Sequence, residues 1–136
     1  MLCCPLVVLD TSAVYALLTA EPEAGPMVSA LAADTVRLIS AANFVEIAIV
    51  VEARYGQAGG RELDLLLHRV GVETVGVTSE QAETARVGYR RFGKGRHPAS
   101  LNFGDTFAYA LSRVSGEPLL FKGTDFGRTD VEVVEY

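Results

Sequence analysis

Short aliphatic runs alternate with segments of helical character along most of the chain. The run at residues 6–9, Leu-Val-Val-Leu, is continuous, which is typical of a strand buried on both faces. Short apolar runs, and an alternating pattern at 72–77, predict further strands at 36–40, 72–77, 118–121 and 131–134. Capping residues, glycine stops and helical spacing predict helices at 13–20, 26–33, 41–55, 61–70, 78–92 and 102–115. Strands that alternate with helices predict an α/β fold around a mostly parallel sheet.

Length and composition limit the class of protein. The chain has 136 residues, of which 49% are apolar, so we expect a single domain spanning residues 1–136. Its apolar start is short and ends at Asp10, which predicts neither a signal peptide nor a membrane span. The adjacent Cys3 and Cys4 do not make a disulfide framework, so we expect reduced thiols in a cytoplasmic protein. A metal or redox site at this cysteine pair is the alternative.

Three acidic residues follow predicted strands or begin a predicted helix. Asp10 follows the first strand, Asp125 comes shortly after the fourth, and Asp105 lies in the first turn of helix 102–115, next to a glycine that permits close approach to the backbone. In parallel sheets, chemistry gathers beyond the carboxyl ends of the strands. Each acid also has an ordinary structural explanation, as a helix N-cap, a turn residue or a complement to the helix dipole.

Glu46 is the only charged residue in the apolar stretch 43–51, whose helix should be largely buried. A buried carboxylate must find a partner or a cation, and a salt bridge to an arginine is the competing explanation. If all four acids converge, their repulsion requires protons or a divalent cation. Oxygen ligands without His or Cys favour Mg²⁺ or Mn²⁺, and such an ion at strand ends predicts phosphoryl chemistry.

Four segments, in order along the chain, resemble the PIN-domain ribonucleases and most closely the VapC toxins of toxin–antitoxin pairs. The segments are Val8–Ala13, Asn43–Glu46, Asn102–Ala110 and Leu119–Phe126. The resemblance implies a PIN-like three-layer fold with a central, mostly parallel five-stranded sheet of order 3-2-1-4-5. It also implies a Mg²⁺- or Mn²⁺-dependent endoribonuclease in which water attacks an RNA phosphodiester.

The resemblance also implies roles for the acids. Asp10 and Asp105 would be direct metal ligands, and Asp125 would bind a second or weaker ion or act through water. Glu46 would act through a bound water or as the base that positions that water. The hydroxyls of two further residues would orient the carboxylates: Ser12 and Thr124.

The partners implied by the resemblance are RNA, a second copy of the chain and a cognate VapB-type antitoxin, in a heterotetramer or a larger assembly without a membrane partner. The antitoxin's C-terminal segment would block the acidic groove. The net charge of −5 gives no overall positive field, so RNA contacts are expected in the basic segment 90–97. There Phe92 could stack on a base, while a solvated, mobile loop is the alternative. The candidate RNA contacts are Arg91, Lys94, Arg96 and His97.

A receiver-like phosphoacceptor domain that binds Mg²⁺ is an alternative of another class, with Lys122 as its strand-end lysine. It requires an aspartate at the end of the third strand, where Thr78 and Ser79 stand, and it gives Glu46 no role. A haloacid-dehalogenase-like phosphatase requires an aspartate where Ser12 stands. A PIN module that only binds its target is a third alternative, against which the four intact acids argue.

Overall fold

The computed structural model describes residues 5–33 and 35–136, so Cys3 and Cys4 lie outside the described residues. The elements, in chain order, are β1 Leu6–Leu9, α1 Thr11–Leu18, α2 Ala24–Ala30, β2 Val36–Ser40, α3 Ala41–Val70, β3 Val72–Val75, α4 Ser79–Phe92, α5 Phe103–Ser115, β4 Leu119–Leu120 and a short 3₁₀ helix, Phe126–Arg128. None of the helices in these ranges has the length and apolar character needed to cross a membrane.

The strands form one parallel sheet in the order β3-β2-β1-β4. This arrangement confirms the predicted parallel sheet, but the described residues contain four strands rather than five. The segment predicted as a fifth strand lies beside β4 and is joined to it by one parallel bridge, between Leu119 and Val133. Because β4 has only two residues, it offers too short an edge for a continuous ladder.

Alternate side chains of β1 enter two separate hydrophobic cores, which explains why this strand is aliphatic throughout. Val7 and Leu9 pack with residues of α1 and α3 on one face of the sheet. Val8 packs with residues of α4 and α5 on the other. Successive strand side chains point to opposite faces, so a sheet between two helical layers requires apolar residues at every position. The predicted three-layer arrangement is confirmed.

Helix α3 is long and sharply kinked. At Gly56 the backbone has φ 70° and ψ −165°, a conformation that is essentially restricted to glycine. The two helices predicted at 41–55 and 61–70 therefore meet at this residue. The first half of α3 differs from the sequence prediction because part of its apolar surface is exposed, with Val45 53% and Ile49 64% accessible.

The carboxyl ends of β1 and β4 lie side by side at one edge of the sheet. The backbone N–H of Asp10 donates to the carbonyl of Leu120 over 3.0 Å. The first turns of α3 and α5 meet beside this edge, where Asn43 Nδ2 donates to the Gly104 carbonyl over 2.9 Å. The fold thereby brings residues from the beginning, middle and end of the chain to one place.

Candidate active site

Asp10 occupies the end of β1 and forms the N-cap of α1. Its Oδ2 atom accepts hydrogen bonds from the Ser12 N–H at 3.0 Å and from Ser12 Oγ at 2.6 Å. The residue is 4% exposed, and its Oδ1 atom is buried without a hydrogen-bond partner in the described part of the chain. Burial raises the pKa of this carboxyl above its usual value, and the charge of Glu46 raises it further. A buried oxygen of this kind is available to a cation or a proton.

Ser12 connects two elements that are far apart in sequence. Besides donating to Asp10, its hydroxyl oxygen accepts a hydrogen bond from the backbone N–H of Lys122 at 2.9 Å. The start of α1 is therefore fixed to the segment that follows β4. The same hydroxyl holds one oxygen of Asp10 in place, which leaves the other free to face a ligand.

Glu46 lies on α3 and is held by two polar side chains. Its Oε1 atom accepts a short hydrogen bond from Thr11 Oγ1 and a longer one, 3.3 Å, from Asn43 Nδ2. Within residues 5–33 and 35–136, Glu46 forms no ion pair, so the arginine salt bridge considered as its alternative explanation is absent there. A Cβ atom at Gly104 would collide with the Glu46 carboxylate. The glycine predicted to permit close approach therefore makes room for Glu46.

Asp105 begins α5 in a reciprocal capping arrangement with Asn102. Its Oδ2 atom accepts from the Asn102 N–H at 2.9 Å, and the Asn102 side chain accepts from the Asp105 N–H at 2.9 Å. Burial raises the pKa of Asp105 to about 7, and the charges of Asp10, Glu46 and Asp125 add to the effect. The charges of the three other predicted acids therefore all act on Asp105.

Three of these acids line one open cleft of about 470 Å³: Asp10, Glu46 and Asp105. Asp125 is exposed just before the 3₁₀ helix, close enough to influence Asp105 but outside the cleft lining. Thr124 is exposed beside Asp125. Three side chains donate hydrogen bonds to the cleft carboxylates, those of Thr11, Ser12 and Asn43, and the backbone N–H of Asn102 donates to Asp105. Of these residues, only Ser12 is predicted from the sequence to have such a role, although each stands within three residues of an acid.

The donor set fits a hard divalent cation. All the acids offer oxygen, and Asp10 Oδ1 already lacks a partner among the described residues. In those same ranges, however, no three acidic, histidine or cysteine side chains stand together in a ligating arrangement. Asp105 Oδ2 is engaged by its own helix cap, so Oδ1 is the oxygen of this side chain that would serve an ion.

Phe92 and Arg91 have structural roles at the end of α4. Phe92 is 7% exposed in the second hydrophobic core, so the expectation that it stacks on a base is wrong. Arg91 lies over the Phe92 ring at 4.7 Å, and its Nη1 atom contacts Asp130 at 3.1 Å. The Arg91 charge is therefore partly neutralised within the protein.

The loop after α4 exposes the remaining predicted RNA contacts unequally. His97 Nδ1 accepts from the Ala99 N–H at 3.0 Å, and its ring packs edge-on against Phe92. Lys94 and Arg96 are exposed, and in the described ranges neither forms an ion pair. Lys94 and Arg96 are thus the two predicted contacts that the loop presents to solvent.

The end of β3 is inconsistent with the receiver-like alternative. This strand ends at Val75 and is followed by Gly76, so no acidic side chain stands at its carboxyl end. A phosphoacceptor aspartate is therefore missing from the position that such a domain requires. The acids instead surround the ends of β1 and β4.

Comparisons with known proteins agree with this arrangement. The family model described as PIN domain matches residues 7–132. Ribonuclease VapC of Mycolicibacterium smegmatis is 58% identical over 127 residues, covering 93% of this chain and 98% of that protein. Ribonuclease VapC30 of Mycobacterium tuberculosis is 54% identical over 127 residues, covering 93% and 97% respectively.

A solved structure shares the fold at much lower sequence identity. VapBC2 from Rickettsia felis, bound to a DNA fragment from its promoter, superimposes with a TM-score of 0.75 at 16% identity, covering 96% of this chain and 97% of that chain. The family match spans the sheet, both helical layers and all four acids. The chain therefore belongs to the PIN-domain family and, within it, to the VapC ribonucleases.

Proposed function

We propose that this chain is a Mg²⁺- or Mn²⁺-dependent endoribonuclease that hydrolyses RNA phosphodiesters at the acidic cleft. The observation that carries the proposal is the buried Oδ1 atom of Asp10, which has no partner among the described residues and shares its cleft with Glu46 and Asp105. Such a carboxylate is unfavourable unless a proton or a cation compensates it. Its oxygen-only surroundings favour a hard cation.

The acids have distinct roles in this proposal. Asp10 and Asp105 would hold the ion, and Asp125 would bind a second or weaker ion or act through water, with the Thr124 hydroxyl orienting its carboxylate. When bound, the ion stabilises the charge that develops on the phosphate oxygens and makes water more acidic. Glu46 positions the attacking water and accepts its proton.

Neighbouring side chains prepare the acids for these roles. Thr11 and Asn43 hold one oxygen of Glu46, which leaves its other oxygen to receive a proton. The Ser12 hydroxyl holds one oxygen of Asp10 in the same way. Preorganised carboxylates need little rearrangement when the reaction begins.

We propose that residues 1–136 form one domain. Within it, the RNA contacts are proposed in the basic segment 90–97. Lys94 and Arg96 carry most of this role because they are exposed without ion pairs in the described ranges. Arg91 and His97 contribute through the parts of their side chains that remain accessible.

The biological role proposed is that of a cytoplasmic toxin controlled by a VapB-type antitoxin. The support is the identity of more than half of the aligned residues with proteins named VapC, and the fold shared with VapBC2, a complex of the same kind. We propose a homodimer as the basic unit, with a heterotetramer or a larger assembly formed with antitoxin. A small reading frame upstream that encodes a DNA-binding protein with a polar tail would support this role, and coexpression of its product should relieve growth arrest.

The variant Asp10→Asn tests the nuclease proposal. We expect metal-dependent cleavage of RNA to be abolished, while the metal-free protein keeps or raises its melting temperature because one buried, repelling charge is gone. Cleavage is measured by gel electrophoresis with Mg²⁺ or Mn²⁺ present, and folding by thermal unfolding.

Asp64→Asn is the matched control, because Asp64 is exposed on the far half of α3. It should leave both cleavage and stability unchanged. Full nuclease activity in the Asp10→Asn protein would reject the proposed site.

A further inference from the structure

Two cationic side chains line the acidic cleft, and they differ in whether nearby carboxylates neutralise their charge. Lys122 is engaged: its Nζ atom lies 2.8 Å from a carboxylate oxygen of Glu21 and 3.7 Å from one of Glu23. Arg54 also lines the cleft, but across residues 5–33 and 35–136 it forms no ion pair with a carboxylate. No carboxylate of the described residues therefore neutralises the positive charge of Arg54.

Arg54 is held in a defined position despite its exposure. Its Nη1 atom donates to the hydroxyl of Tyr15 over 3.1 Å, and its guanidinium carbon lies 5.7 Å from the centre of the Tyr55 ring. The neighbouring phenol of Tyr55 raises the pKa of Tyr15 above its ordinary value of 10, so Tyr15 remains neutral near physiological pH. The hydrogen bond therefore orients the guanidinium without cancelling its charge.

Arg54 and Glu46 stand on the same face of α3. Residues 46, 50 and 54 are spaced by four, and all three line the cleft. Eight residues of helix correspond to about 12 Å along the axis. A nucleic-acid strand with its reacting phosphate near Glu46 would therefore pass Arg54 a few nucleotides away.

We propose that Arg54 is a phosphate-binding residue that holds the RNA backbone a few nucleotides from the bond being cleaved. This inference rests on the proposed nuclease function and adds a binding subsite to it. A cleft lined by carboxylates repels a polyanion, so binding needs a cation whose charge is still available. The planar guanidinium matches the geometry of a phosphate group and can bind it with two hydrogen bonds.

Direct binding of RNA tests the subsite separately from catalysis. The parent for this experiment is the Asp10→Asn protein, and the probe is a short fluorescently labelled single-stranded RNA of random sequence in Mg²⁺-containing buffer. We expect Arg54→Gln to weaken binding about tenfold, as measured by anisotropy. The slope of log K against log salt should fall by about 0.7, the value for one phosphate contact on a single strand. Arg54→Lys should recover part of the affinity and most of the slope, because it keeps the charge but loses the planar geometry.

Arg61→Gln is the matched control, since Arg61 is exposed on the same helix but is not among the residues lining the cleft. It should leave affinity and slope unchanged.

With Asp10 intact, Arg54→Gln should raise KM for RNA while kcat stays nearly constant, a division that general unfolding would not produce. If Arg54→Gln binds RNA like its parent, or if Arg61→Gln weakens binding equally, the subsite is wrong while cleavage by the unaltered protein still supports the nuclease. If the unaltered protein neither binds nor cleaves RNA with Mg²⁺ or Mn²⁺, both proposals fail.

Discussion

At the scale of single residues, the burial of Asp105 among other acids makes the stability of the protein depend on pH. Folding raises its pKa from 3.8 to about 7, mainly through burial and also through the neighbouring acids. The folded state therefore binds this proton more tightly than the unfolded state does. The contribution of Asp105 to the free energy of unfolding is largest below pH 3.8. It is lost as the pH rises towards 7, because the folded chain must then bear an unfavourable charge.

The variant Asp105→Asn should remove this pH dependence in metal-free protein. We expect the free energy of unfolding to increase by about 1–2 kcal/mol at pH 8, with solvent screening of the partly exposed group taken into account. Near pH 4 the two proteins should be nearly equal. Urea unfolding at the two pH values measures the effect, and an identical pH profile in both proteins would contradict it. Added Mn²⁺ should stabilise the unaltered protein more than the variant.

Gly104 offers a second residue-scale prediction, because a Cβ atom there would collide with the Glu46 carboxylate. We expect Gly104→Ala to displace this carboxylate and lower kcat for RNA cleavage about a hundredfold, a loss typical of a catalytic group moved by about 1 Å. Gly25→Ala is the control, because a Cβ at Gly25 meets no atom within 4 Å. Equal activity in the two variants would show that the position of Glu46 does not matter.

The sequence identified the four acids but not most of the groups that hold them. An acid at a strand end or inside an apolar helix is conspicuous, because each position carries a known physical cost. The bond from Thr11 to Glu46 depends instead on how α1 packs against α3, which no local pattern contains. The same holds for the contact of Asn43 with the Gly104 carbonyl, across 61 residues of sequence.

At the scale of secondary-structure elements, the kink in α3 determines how its two halves diverge. The first half carries Glu46 and Arg54 to the cleft, while Leu63 and Leu66 of the second half pack into the core with α1. Gly56 permits the change of direction because its backbone conformation is unfavourable for any residue with a Cβ atom.

The variant Gly56→Ala should therefore destabilise the protein by about 1–3 kcal/mol, although a Cβ there would meet no neighbouring atom. Gln57→Ala, at the adjacent exposed position, should change stability by less than about 0.5 kcal/mol. Thermal and urea unfolding measure both effects. If Gly56→Ala leaves the stability unchanged, the backbone conformation at the kink does not require glycine.

Sequence patterns predict where the elements lie more accurately than how long each element is or how deeply it is buried. Strand β1 was predicted with its observed bounds because residues buried on both faces leave a continuous aliphatic signal. The predicted strand at 131–134 was wrong because strand pairing depends on the partner, and β4 is only two residues long. The exposure of Ile49 was also unexpected, since an apolar helix face does not reveal whether its partner lies in the same chain.

At the scale of the whole molecule, an exposed apolar patch lies next to the cleft. It is formed by the first half of α3 and the first turn of α5, and its most exposed members are Val45, Ile49, Val50 and Phe103. Exposed contiguous apolar surface is typical of an interaction site. It is therefore the surface through which we propose that two copies of the chain associate.

The variant Ile49→Glu tests this association, since a charge at the centre of an apolar interface should convert a dimer into monomers. The mass measured by sedimentation should fall by half, with circular dichroism unchanged. Leu65→Glu places the same charge at an exposed leucine on the other half of α3 and should leave the mass unaltered. A dimer that survives Ile49→Glu would place the interface elsewhere.

The contacts of Asp10 with Leu120 and of Ser12 with Lys122 each join residues that lie 110 positions apart in the sequence. A polypeptide emerging from the ribosome cannot place β1 beside β4 until the latter has left the exit tunnel. The acidic cleft is therefore assembled only after the segment that follows β4 has been synthesised, and a nascent chain that stops before this segment cannot form it.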